Sequence, residues 1–151
     1  MRRKRLSYVF AVLSLGISLF IFRNSLQDAT TSSAWSGQLV AALKPILDPI
    51  NLLSTREFHT LIRKCAHFTE FALLGLSLGI FAGCVNWRRL LWRVWMPVLT
   101  ALAVAAFDEN LQRFVPGRHG SPWDVCIDLG GAMAGILLAR LLCRLAGRKQ
   151  R

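Results

Sequence analysis

Nine side chains of the kinds that bind or do chemistry fall in three short blocks. Lys64, His67 and Glu70 stand three apart, so one helical face would carry all of them. Asp108, Glu109 and Gln112 form the second block, and Asp124 and Asp128, one turn apart, belong to the third. The connection RFVPGRHGSPWD supplies Arg118 beside a Pro116-Gly117 turn. Each block borders a long apolar stretch, where ionisable groups are costly and face partners or a watery cavity. One reading is a binding site. Lys64 and Arg118 would hold a phosphate or carboxylate, and the acids hydroxyls, amines or a divalent ion. His67 would act as a general base or as a satisfied hydrogen-bonding residue. The other reading is a structural network, Lys64 pairing with Asp124, and Arg118 with Asp108 or Glu109.

Other candidates are weaker. His67, Glu70, Asp108 and Glu109 are possible metal donors, but no H-E-x-x-H spacing organises them, so no metal and no cofactor is expected. Ser121 lacks a nucleophile-elbow motif, and His59 and His119 read as solvated. Cys65, Cys84, Cys126 and Cys143 form no C-x-x-C pair. Cys65 and Cys126 fall at matching depth and could pair, although reduced, buried thiols are expected for all four.

The elements that position these blocks are membrane spans. Of 151 residues, 54% are hydrophobic and 18% charged, against about 25% charged in soluble domains. Apolar stretches run over about 8–23, 66–85, 94–112 and 127–143, each near the ~20 residues a crossing helix needs. None alternates with period two, so a β-barrel is disfavoured. The expected fold is all-α: an integral membrane bundle of about four transmembrane helices, with an outer loop carrying a short interfacial helix. Residues 1–7 and 144–151 read as basic tails around a membrane domain at 8–143. A signal peptide ending near Ser32-Ser33-Ala34 is the alternative for the first stretch.

Charge sets the sidedness. With both termini in the cytoplasm, that side holds Arg2, Arg3, Lys4, Arg5, Arg88, Arg89, Arg93, Arg140, Arg144, Arg148, Lys149 and Arg151, and no acid. All eight acids lie on the other side with the remaining bases. The positive-inside rule favours this arrangement. The formal charge of +11 is thus a topology signal, and no nucleic-acid partner is expected. The partners it implies are the bilayer and its anionic headgroups.

The loop after the first span is long enough to need structure of its own. Its TTSSAWSG run reads as a helix start. LVAALKPILDPINLL, with Lys44 and Asp48 at i, i+4, is broken by Pro45 and Pro49 and reads as an interfacial segment. Gly75, Gly79 and Gly83 on the second span, and Gly131 and Gly135 on the fourth, predict close contact between those two helices.

The sequence resembles the VanZ-like membrane proteins. The resemblance rests on Arg63-Lys64-x-x-His67-Phe68-x-Glu70-Phe71-x-x-Leu74-Gly75, on Asp108-Glu109-x-x-Gln112-x-Phe114-Val115-Pro116-Gly117-Arg118, and on Ser121-x-x-Asp124-Val125-x-x-Asp128-x-x-Gly131-x-x-x-Gly135. FRNSLQ also looks like the family's loop after its first span. Phe71 and Asp128 depart from it, the family often having Tyr and Asn there. The family is named for a protein associated with resistance to teicoplanin. The resemblance implies a small multi-span protein of a bacterial inner membrane, linked to the cell envelope. Its outward cluster would bind a lipid-linked wall precursor or an amphiphilic glycopeptide and contribute to antibiotic tolerance. An enzyme modifying a lipid-linked headgroup and a structural accessory subunit are the alternatives. A homo-oligomer or a membrane partner stays open. Transport is disfavoured, since four short spans leave little internal room.

Overall fold

The computed structural model describes residues 2–27, 29–85, 90–118 and 120–148. Five helices account for its elements: α1 (Arg2–Ser25), α2 (Ala29–Leu47), α3 (Thr55–Cys84), α4 (Leu90–Gln112) and α5 (Pro122–Arg148). Among the described residues there is no strand. Four helices, α1, α3, α4 and α5, are long and apolar enough to cross a membrane, and Gly37–Leu47 of α2 is a shorter apolar helix. The chain is a multi-span helical membrane protein.

Each spanning helix extends beyond its apolar stretch. At 30 residues, α3 is about 45 Å long against a hydrocarbon core of about 30 Å. Its first turns, Thr55 to Cys65, are polar, and a capping box starts them. Ser54 Oγ accepts from the Glu57 amide at 3.3 Å, and the Glu57 carboxylate accepts from the Ser54 amide at 2.9 Å. Lys64 therefore sits inside a helix rather than in a loop leading to one.

The linker departs from expectation. α2 begins before the apolar run, at Ala29, and continues through Pro45 to Leu47. Pro45 does not break it because only the last turn follows, so a single backbone hydrogen bond is forfeited. Pro49 lies past the end. Asp48 then ties the chain into α3: its carboxylate accepts from Lys44 Nζ at 2.6 Å and from the Leu52 and Leu53 amides at 2.7 and 3.1 Å. These bonds hold its pKa below the ordinary aspartate value, the Lys44 bond contributing most, burial opposing, and the two amides adding.

α3 is the central helix, packed most extensively on α5. The small-residue seam lies where the glycine spacing placed it. A Cβ on Gly75 would strike Ala132 O, and one on Gly135 would strike Ala72 O, so these helices meet backbone to backbone. Gly79 faces Ile136 and Ala139, and Gly131 faces Phe68. α1 lies against α3, with Ser14 Oγ and Ser77 Oγ 2.8 Å apart. α4 covers α3 and α5 and meets α1 through an edge-to-face pair of Phe22 and Phe107, centroids 5.0 Å apart. Ile21, Phe71, Leu74, Leu78, Ala101, Ala105 and Ala132 form the buried core. Most other large apolar side chains face outward, among them Tyr8, Val12, Leu15, Trp95, Leu99, Leu137 and Leu141. A soluble protein rarely exposes such area, so lipid is the surrounding that fits it.

The helices alternate in direction. The ends of α1 and α4 and the starts of α3 and α5 therefore share one end of the bundle, which holds the polar blocks. Arg93, Arg140 and Arg144 line a cavity of about 390 Å³ with Gly79, Gly83 and Pro97, near the opposite end.

Candidate functional site

Four helix ends and one turn build the polar cluster. The turn forms because Pro116 and Gly117 occupy its centre. Gly117 has φ 75°, and the Arg118 amide donates to Val115 O at 3.1 Å, the pattern of a type II turn. Gly120 brings the chain back against α4, where a Cβ would strike Glu109 O. Ser121 then caps α5, its hydroxyl accepting from the Trp123 amide at 3.2 Å, with Pro122 first in the helix. Its hydroxyl serves a cap, and its amide donates to Glu109 Oε2 at 2.7 Å.

Below the turn, the acids are buried. Asp108 is 0% exposed and Asp128 1%. Asp108 Oδ2 accepts from Ser25 Oγ at 2.8 Å and from Gln112 Nε2 at 3.1 Å. Gln112 also donates to Glu109 Oε1 at 3.1 Å. Glu70 Oε1 accepts from Asn24 Nδ2 at 2.8 Å, and Glu70 Oε2 lies 4.0 Å from His67 Nδ1. Lys64 pairs with Asp124 at 2.9 Å, and both side chains are partly exposed.

Arg118 behaves otherwise. It is 7% exposed, yet no carboxylate oxygen lies within 4 Å of its guanidinium among the described residues, and its Nε has no hydrogen-bond partner. The expected pairing with Asp108 or Glu109 does not form: Ser25, Gln112 and the Ser121 amide occupy those carboxylates instead. Burial lowers the Arg118 pKa and Arg63 lowers it further, while Asp108, Glu109 and Glu70 oppose. An arginine remains a cation under such a shift.

The cluster walls a cavity of about 230 Å³. Thr60, Arg63, Lys64, His67, Glu109, Gln112, Gly117, Arg118, Asp124, Ile127 and Asp128 line it. All nine candidate residues thus gather at one end of the bundle, and Glu70 and Asp108 lie behind the lining. Sequence reasoning missed Asn24 and Ser25 as members, and Arg63 and Thr60 as lining. FRNSLQ was the available signal for the first two. His59 is half-buried rather than solvated, and His119 lies outside the described residues. The four cysteines are free, and Cys65 and Cys126 are exposed, not buried as expected. Both lie on helix faces turned from the bundle, and Cys84 and Cys143 are half-buried.

Several side-chain atoms of the cluster are buried with no partner: His67 Nδ1, Glu70 Oε2, Asp108 Oδ1, Arg118 Nε and Asp128 Oδ2. Native interiors leave few polar atoms so. His67, Asp108 and Asp128, one from each of three helices, offer ligand atoms within 4.8 Å of one another. Glu70 and Glu109, considered from sequence, are not in that set.

Fold and site together define a small multi-pass helical membrane protein with a polar cavity at one end of its bundle. The family profile described as VanZ/LLP1 matches residues 8–143, so the chain belongs to the VanZ family. No curated protein and no solved structure matches it.

Proposed function

We propose that the cavity binds the anionic headgroup of an amphiphile outside the cytoplasm, a lipid-linked wall precursor or a glycopeptide, and so contributes to envelope-antibiotic tolerance. In this reading the protein sits in a bacterial inner membrane with both termini in the cytoplasm. The observation that carries it is Arg118: a buried guanidinium with no carboxylate oxygen within 4 Å among the described residues, lining a cavity of about 230 Å³. Asp108, Glu109 and Glu70 act on this cation only at a distance, so its fork of donors is unfilled, and a phosphate or carboxylate from outside the chain would satisfy it. Lys64 is neutralised by Asp124 and serves as a wall rather than the anchor. The basic excess at the opposite end of the helices supports this sidedness.

The test uses Arg118→Ala, Arg118→Lys, His67→Ala and Asp108→Asn at equal membrane levels. Glycopeptide susceptibility and co-purified lipid are measured together. Loss of a charged hydrogen bond of about 1.5–3 kcal/mol means that Arg118→Ala weakens headgroup binding about 10- to 150-fold, with partial retention in Arg118→Lys. Unchanged susceptibility and lipid content in all four variants would remove the reading. Turnover of the bound headgroup would convert it to an enzymatic one. In a cysteine-free background, Ser54→Cys should label from outside intact cells, and Arg88→Cys only after permeabilisation.

A further inference from the structure

We infer that His67, Asp108 and Asp128 form a binding site for one divalent transition-metal ion, of the Zn²⁺ or Mn²⁺ kind. The inference stands on the cluster's own side chains and does not depend on which headgroup the cavity takes.

Two observations support it independently. The first is convergence. An imidazole nitrogen from α3, a carboxylate oxygen from α4 and another from α5 lie within 4.8 Å of one another. Ligands bound at about 2.0–2.2 Å in a tetrahedron stand about 3.3–3.6 Å apart, so the three side chains close by about an ångström when the ion binds. The second is the unpartnered atoms. Asp108 Oδ1 and Asp128 Oδ2 are buried without a hydrogen-bond partner, on side chains 0% and 1% exposed. His67 Nδ1 is buried without a hydrogen-bond partner as well, 4.0 Å from Glu70 Oε2. The other oxygen of Asp108 is already held by Ser25 and Gln112. That leaves Oδ1 free to coordinate while its carboxylate is fixed from behind, as supporting hydrogen bonds fix metal ligands.

Charge points the same way. Asp108 and Asp128 approach each other with no arginine or lysine nitrogen within 4 Å among the described residues. Two carboxylates in a dry site require a cation between them or a shared proton. One nitrogen and two oxygens suit zinc or manganese better than calcium, which takes 6–8 oxygens. Three protein ligands leave at least one coordination position. His67 and Asp128 also line the cavity that holds Arg118, so an anion there would meet both a metal and a guanidinium.

The test starts from full-length protein purified in detergent, stripped with chelator, in a Cys65→Ser, Cys126→Ser background that removes the exposed thiols. Zn²⁺ alone is the probe, followed by titration calorimetry and elemental analysis, with thermal unfolding as a second readout. The expected result is one Zn²⁺ per chain, a rise in Tm, and at least a tenfold loss of affinity in His67→Gln and in Asp128→Asn. Zn²⁺ binding that both variants retain, or no binding up to millimolar Zn²⁺, overturns the inference; the second result means that the carboxylates share a proton. Should the variants not fold, pulsed EPR of Cu²⁺-loaded protein carrying His59→Asn and His119→Asn decides. Coupling to one directly bound imidazole nitrogen supports the site, and its absence overturns it. Headgroup binding assayed on stripped protein separates the two proposals.

Discussion

Gly135→Ala tests whether the α3–α5 seam holds the bundle together. A Cβ at Gly135 would lie 2.6 Å from Leu76 N and 2.9 Å from Ala72 C, besides striking Ala72 O. Ordinary contact begins near 3.4 Å, and Ala72 O is the nearest obstacle, so the helices must separate locally by more than an ångström. Neither contact is the tip of a flexible side chain, and backbone cannot swing aside. Overpacking of this kind costs about 1–3 kcal/mol, and a rigid backbone obstacle places the cost at the upper end. Alanine returns up to about 1 kcal/mol of helix propensity, leaving a net loss near 2 kcal/mol. Gly16→Ala is the control, because nothing lies within 4 Å of a Cβ there, and it should be neutral or stabilising. Reversible unfolding of purified protein in mixed micelles, titrated with denaturing detergent, reads both. Gly135→Ala as stable as Gly16→Ala would refute the backbone-to-backbone account of the interface.

Phe71→Ala should cost about 3–5 kcal/mol in the same assay, since its ring is wholly buried in the core. Lys64→Met and Asp124→Asn should each change stability by less than about 1 kcal/mol, because their ion pair is partly exposed; a larger loss would make the pair a structural clasp. Asp48, with a folded pKa below its ordinary value, stabilises the α2–α3 connection above about pH 4. That contribution fades as pH falls through the folded value. Hydrogen exchange at the Leu52 and Leu53 amides, corrected for intrinsic rate, should speed up there, and Asp48→Asn should abolish the pH dependence.

The spans were legible because lipid demands long uncharged runs, and the seam because glycines four apart share a face. The three polar blocks announced their shared level, since charged side chains beside apolar runs must face inward. Asn24 and Ser25 were hidden for a different reason. FRNSLQ marks them only by resemblance, and packing of α1 on α3 and α4 decides which helix end stands next to Glu70 and Asp108. The start of α3 was obscured by Arg56, Glu57, Arg63 and Lys64, whose charges mask helical turns standing beyond the hydrocarbon. Of the three residues proposed to hold a metal, His67 and Asp108 stood among the possible donors in the sequence and Asp128 did not, because they come from three helices with no shared spacing. Their meeting depends on the close approach of α3 and α5.

α1 donates Asn24 and Ser25 to the cluster, yet it is the span most open to lipid, with Tyr8, Val12, Leu15 and Leu19 exposed along its length. The bilayer therefore has more surface to act on along α1 than along the other described spans. Thickening or thinning the surrounding membrane would slide those two hydrogen-bond donors past the glycine-locked pair α3–α5. Membrane thickness would then reach the polar cluster through the bonds of Asn24 to Glu70 and of Ser25 to Asp108.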